Sequence, residues 1–131
     1  MKKYIENIDL QTVSMQTLAF IGDAIYNVYI RTYLASKTNA VTGRLHKASI
    51  KYVSAKGQSK IIDEINETLS EEEQTIYKRG RNTSINTVAK NVGVVEYKKA
   101  TGFEALLGYL YLKEETIRLE EIIDMSIKIF E

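Results

Sequence analysis

Apolar residues recur along most of this chain at three- and four-residue intervals, the spacing that lays side chains on one face of an α-helix. Leu18, Ile21, Ile25, Val28, Tyr29 and Tyr33 mark one long amphipathic helix, from about Met15 to Ser36. Thr42 reads as the N-cap of the next helix, which carries Leu45, Ala48, Ile50 and Val53. Ser54 reads as the cap of a further helix holding Ile61, Ile62 and Ile65. In Ser70-Glu71-Glu72-Glu73 the hydroxyl and the glutamate three positions on form a capping box. It opens a helix through Ile76 and Tyr77 that ends near Lys78-Arg79-Gly80-Arg81. From Asn82 to Gly93 the chain is rich in Asn, Thr and Ser without apolar periodicity, a loop long enough to suggest a role. A helix is expected from about Lys98 to Lys113 and a last one from about Thr116 to Phe130, with Ile122, Ile123, Ile127 and Phe130 inward. The expectation is an all-α fold of about six helices.

Composition narrows the chemistry that such a bundle can do. The 131 residues show no repeat, low-complexity tract or linker, so residues 1–131 are expected to form a single domain. Cysteine is absent, which excludes disulfides, thiolate chemistry and zinc–cysteine sites. The only histidine is His46, which excludes a histidine-rich metal centre. A metal here should be a hard cation held by oxygen, magnesium or manganese. The N-terminus lacks the apolar core of a signal peptide, and no stretch approaches the ~20 apolar residues of a membrane span. The expected location is the cytoplasm, away from membranes.

A net charge of +1 conceals strong segregation. Seven basic residues and no acid lie between Ala24 and Lys60, and six more against Glu96 alone between Ile76 and Phe103. The balancing acids cluster from Asp63 to Glu73 and from Glu104 onward. A near-neutral protein patterned this way can present a basic surface; solvated helix faces of alternating sign give the same sequence pattern.

Two carboxylates break otherwise apolar helical runs. They are Asp23 in Leu18-Ala19-Phe20-Ile21-Gly22-Asp23-Ala24 and Glu104 in Thr101-Gly102-Phe103-Glu104-Ala105-Leu106-Leu107-Gly108. A charge on the apolar side of a helix is costly to desolvate unless it is paired or binds a cation. Two such acids far apart in sequence suggest neighbouring helices presenting both to one metal-binding cleft.

The first of these blocks resembles the signature helix of ribonuclease III, and the second resembles that family's second acidic helix. Order and separation agree as well. Leu45-His46-Lys47, Tyr52-Val53-Ser54-Ala55-Lys56, Arg79-Gly80-Arg81-Asn82 and Gly108-Tyr109-Leu110-Tyr111-Leu112 are similar to the Mini-ribonuclease III branch. The likeness covers nearly the whole chain, and no double-stranded-RNA-binding domain is expected after Glu131.

The resemblance implies an all-helical endonuclease domain that works as a homodimer on double-stranded RNA. Each protomer would cut one strand with magnesium, and the implied substrate is the precursor of the large-subunit (23S) ribosomal RNA, with a ribosomal protein as a candidate assistant. Asp23 and Glu104 would then be the catalytic and metal-binding residues, with manganese a possible substitute. Two further acids of the ribonuclease III pattern are missing, their positions held here by Ala19 and Thr101. Magnesium keeps several waters and needs only one or two protein carboxylates beside substrate phosphate, so two acids meet the minimum. Thr101 could hydrogen-bond a metal-bound water from one turn away.

Phe20 stands where the family plugs a socket in the partner subunit; periodicity alone would place it in the core. Ile21 is likewise assigned to core or dimer interface. Duplex RNA is recognised through minor-groove hydroxyls and phosphates, a task suited to Arg79, Arg81, Asn82, Lys90 and Asn91 in or beside the polar loop. His46 and Lys47 either approach phosphate near the cleft or are ordinary helix residues. The rival to an enzyme is a non-catalytic module that holds structured RNA or aids ribosome assembly on the same fold.

Overall fold

The computed structural model describes residues 1–83 and 93–131, and the regular structure among them is entirely helical. In chain order the helices are α1 (Lys2–Glu6), α2 (Met15–Lys37), α3 (Thr42–Val53), α4 (Ala55–Ile65), α5 (Glu71–Arg81), α6 (Val94–Leu112) and α7 (Thr116–Lys128). A short 3-10 turn, Asn66–Thr68, follows α4. The helix beyond the expected six is α1, five residues with no buried side chain and so no apolar repeat to announce it.

Local chemistry explains most of the boundaries. Ser14 caps α2, its hydroxyl accepting from the Thr17 N–H at 3.0 Å. The Ser54 hydroxyl accepts from the Gly57 N–H at 3.1 Å and starts α4 as expected. The capping box at Ser70 is complete: its hydroxyl accepts from the Glu73 N–H, and the Glu73 carboxylate accepts from the Ser70 N–H at 2.8 Å. The α3 cap differs from expectation. Val41 occupies the cap position without a side-chain bond, and Thr42 is already the first helical residue, one position too far along to cap.

Helix α6 is the centre of the molecule and packs against α2, α4, α5 and α7. It is apolar nearly all round, which is the pattern of a helix enclosed on every side. Phe103, Leu106, Leu107 and Leu110 from α6 join Tyr26 and Ile30 of α2, Ile61 and Ile62 of α4, and Ile122 of α7 in one core. Tyr26 meets Phe103 edge to face at 5.3 Å between centroids, and its hydroxyl donates to the Tyr52 carbonyl at 3.0 Å. α6 begins at Val94, earlier than the Lys98 expected, because Val94 and Val95 are exposed and contribute no inward-facing repeat. Val28 and Ile50 also depart from the inward positions assigned by periodicity, at 60% and 50% exposure. Within the described residues no helix is long and apolar enough to cross a membrane.

The backbones of α2 and α6 approach closely in the fold's centre. A Cβ on Gly22 would overlap the carbonyl of Glu104, and one on Gly108 would overlap the carbonyl of Leu18. The two backbones therefore touch at two glycines that leave no room for any side chain. Gly22 precedes Asp23 and lies on Glu104, so the crossing itself brings the two acids together.

Candidate active site

Asp23 and Glu104 line one cleft of about 320 Å³ with Gln16, Ala19, Phe20, Thr83, Tyr97 and Thr101. Asp23 is exposed at its rim and Glu104 is half-buried in its wall. The two carboxyl groups are close enough for Asp23 to bear on the charge of Glu104. Burial, followed by the adjoining Asp23 carboxylate, pushes the Glu104 carboxyl up to about 8, against a smaller downward pull from the Gln58 amide.

The neighbours of these acids are neutral amides. Asn27, one turn along α2, donates to the Asp23 side chain at 3.1 Å and to its carbonyl at 2.9 Å. Gln58, from α4, donates to Glu104 Oε2 at 3.3 Å. No ion pair within the described residues involves either acid. Two adjacent carboxylates whose described neighbours leave the charge uncompensated are a donor set suited to a hard divalent cation. Among the described residues no third Asp, Glu or His joins them, so the protein would supply two carboxylates and leave the remaining positions to water and substrate oxygen.

Ala19 and Thr101 line the same cleft, although neither carries a charge. The Thr101 hydroxyl donates to the Tyr97 carbonyl at 3.0 Å, which keeps its lone pairs available to accept.

Residues 16–115 match the family model of the ribonuclease III domain. The chain is 48% identical to Mini-ribonuclease 3 of Clostridium tetani over 94% of its own length and 82% of that protein's. It is 47% identical to Mini-ribonuclease 3 of a Thermoanaerobacter species, over 100% of this chain and 96% of the relative. The chain belongs to the Mini-ribonuclease III branch of the ribonuclease III family. It is an endoribonuclease. A crystal structure of a protein from Fusobacterium nucleatum has the same fold, with a TM-score of 0.85 at 36% identity, covering 94% of this chain and 98% of that one.

The other residues singled out in the sequence spread over three places. Arg79 and Asn82, at the end of α5, line an open cavity of about 550 Å³ with Met15, Thr75, Lys78 and Thr83. Thr83 also lines the acidic cleft, so the two depressions adjoin. Arg81 lies over the Tyr77 ring at 5.6 Å and donates to Asn82 Oδ1 at 3.1 Å. His46 and Lys47 are exposed on α3. His46 faces a separate, largely apolar cavity of about 430 Å³ between α2 and α3 rather than the acidic cleft. Phe20 is 80% exposed at the edge of the cleft, and Ile21 beside it is half-buried. Lys90 and Asn91 lie outside the described residues.

Asn27, Gln58, Tyr97 and Gln16 are cleft neighbours that the sequence pattern did not single out. Gln58 left one trace: a polar residue at a position the α4 repeat buries, one turn before Ile61 and Ile62.

Proposed function

We propose that this endoribonuclease is a divalent-metal-dependent enzyme that cleaves double-stranded RNA, with Asp23 and Glu104 as its metal-binding catalytic residues. The observation that carries this reading is their meeting at the glycine-tight crossing of α2 and α6, next to neutral donors alone among the described side chains. Magnesium is the natural occupant for an all-oxygen donor set, with manganese as a substitute. When bound, such an ion acidifies water and polarises phosphate oxygens.

The chain's own residues would supply the remaining functions. Asn27 and Gln58 hold the two carboxylates in place, and the α2–α6 crossing fixes their separation. The depression lined by Lys78, Arg79 and Asn82 adjoins the acids through Thr83, giving phosphate a cationic approach to the cleft. Arg81, His46, Lys47, Lys90 and Asn91 are further candidates for RNA contact. The substrate proposed is a duplex stem in the 23S ribosomal RNA precursor, with a ribosomal protein as candidate assistant, and the working unit a cytoplasmic homodimer of single-domain protomers joined near Phe20 and Ile21. A duplex needs two cuts, and with one acidic cleft per protomer a pair of protomers can make both in one encounter.

The test is cleavage of an end-labelled RNA duplex with magnesium or with chelator, beside Asp23→Asn and Glu104→Gln. Each variant should lose at least about a hundredfold in kcat while still retarding the duplex in a gel, since the cationic surface is untouched. Cuts that persist in chelator, or in either variant, would remove the acids from the chemistry.

A further inference from the structure

Behind Glu104 lies a second, smaller cavity of about 150 Å³, lined by Val53, Ala55, Gln58, Tyr97, Ala100, Thr101 and Glu104. Tyr97, Thr101 and Glu104 border both this cavity and the acidic cleft, so they form the partition between them. The Gln58 side chain lies on the far side of that partition, only 1% exposed.

The Gln58 amide nitrogen donates to the Val53 carbonyl at 2.9 Å and to Glu104 Oε2 at 3.3 Å. Both neighbours are acceptors, which fixes the orientation of the amide: the nitrogen faces them and the oxygen points away. That oxygen is buried and has no hydrogen-bond partner among the described residues. A buried orphan acceptor costs about 1–3 kcal/mol, so the amide stands here against a penalty while its nitrogen serves two acceptors. The position of Gln58 is firmly set. Its backbone N–H donates to the Ser54 carbonyl at 2.9 Å, and a Cβ on the preceding Gly57 would overlap the Lys51 carbonyl.

We propose that Gln58 is a positioning residue for Glu104. Its amide nitrogen ties one carboxylate oxygen of Glu104 to the last carbonyl of α3. The carboxylate is thereby held in the orientation it presents to Asp23. With Ala19 and Thr101 uncharged, only two acids remain to share a cation, and misalignment of either removes half of the protein's ligands. This inference rests on the metal-dependent reading above.

The test is Gln58→Met, which keeps the length of the side chain and removes both amide functions. Manganese affinity of the RNA-free protein is read from the free-ion resonance signal, and kcat and KM are measured on the same duplex. Loss of an outer hydrogen bond to a metal ligand lowers affinity or activity by roughly 10- to 100-fold, so that loss is expected in manganese affinity and in kcat, with KM for RNA nearly unchanged. A side chain that merely fills space would lower thermal stability without moving the manganese constant. Wild-type values in Gln58→Met overturn the proposal. Wild-type protein that neither binds manganese nor needs a metal to cleave overturns the underlying reading and this inference with it.

Should Gln58→Met fail to fold, the unaltered protein gives the answer. Its Gln58 side-chain amide resonance should shift as magnesium is added, and should not do so in Glu104→Gln. An amide signal that stays fixed while wild-type protein saturates with magnesium overturns the proposal.

Discussion

Glu104 carries opposing demands: burial in the wall of the cleft disfavours its charge, and the cation binding proposed for it requires that charge. With the folded carboxyl pushed up to about 8 and the ordinary value at 4.5, the folded chain retains a proton that the unfolded chain releases across that interval. The unfolded state then binds fewer protons, so stability falls as pH rises from about 4.5 to about 8 and levels off above. The full shift corresponds to a ceiling of about 5 kcal/mol, reduced by the water that reaches a half-buried carboxyl. Glu104→Gln keeps the shape and stays neutral, so in chelator at alkaline pH it should be more stable than wild type, and at about pH 4 the two should converge. Urea unfolding at the two pH values checks this. An equal slope with pH in both proteins would move the titration elsewhere. Magnesium should stabilise wild type at alkaline pH and leave Glu104→Gln nearly unaffected.

At the scale of elements, the acids depend on helices that approach without side chains between them. The sequence made Asp23 and Glu104 conspicuous because each interrupts an apolar run, and periodicity placed α2 and α6 around them. Gly22 and Gly108 stood in the same runs, but no pattern along one chain states what a glycine faces; that is a property of the crossing. Gln58 was hidden for a related reason, since its partner is 46 residues away. Gly22→Ala puts a methyl group against the Glu104 carbonyl and forces the helices apart. Overpacking of this kind costs typically 1–3 kcal/mol, more where backbone is struck. The thermal midpoint should fall by several degrees, and cleavage measured well below that midpoint should fall further than the loss of folded protein explains. Activity that merely tracks the folded fraction would separate the crossing from the alignment of the acids.

At the scale of the whole molecule, the homodimer proposed above would cover an exposed apolar stripe on α2. Phe20, Ala24, Val28 and Ala35 are exposed along one side of α2, with Phe20 at 80% and Val28 at 60%. Periodicity treats Phe20 and Val28 as interior because a face covered by a partner and a face covered by the same chain carry the same residues. Only the packed protomer separates the cases, and it leaves both side chains outside. An aromatic anchor projecting from the rim of the acidic cleft would also bring the partner's surface to that cleft. Phe20→Glu removes the anchor and adds a charge while touching nothing in the core, so helicity and the unfolding midpoint of the protomer should change little. Loss of a central aromatic contact is worth about 2 kcal/mol or more, a weakening of the dimer by roughly 30-fold. Sedimentation over a dilution series should show the variant dissociating at concentrations where wild type remains paired. Its cleavage should fall on dilution and recover when protein is added back, because each folded protomer retains Asp23 and Glu104. A wild-type protein that sediments as a monomer at concentrations where it cuts both strands would overturn the role given to this face.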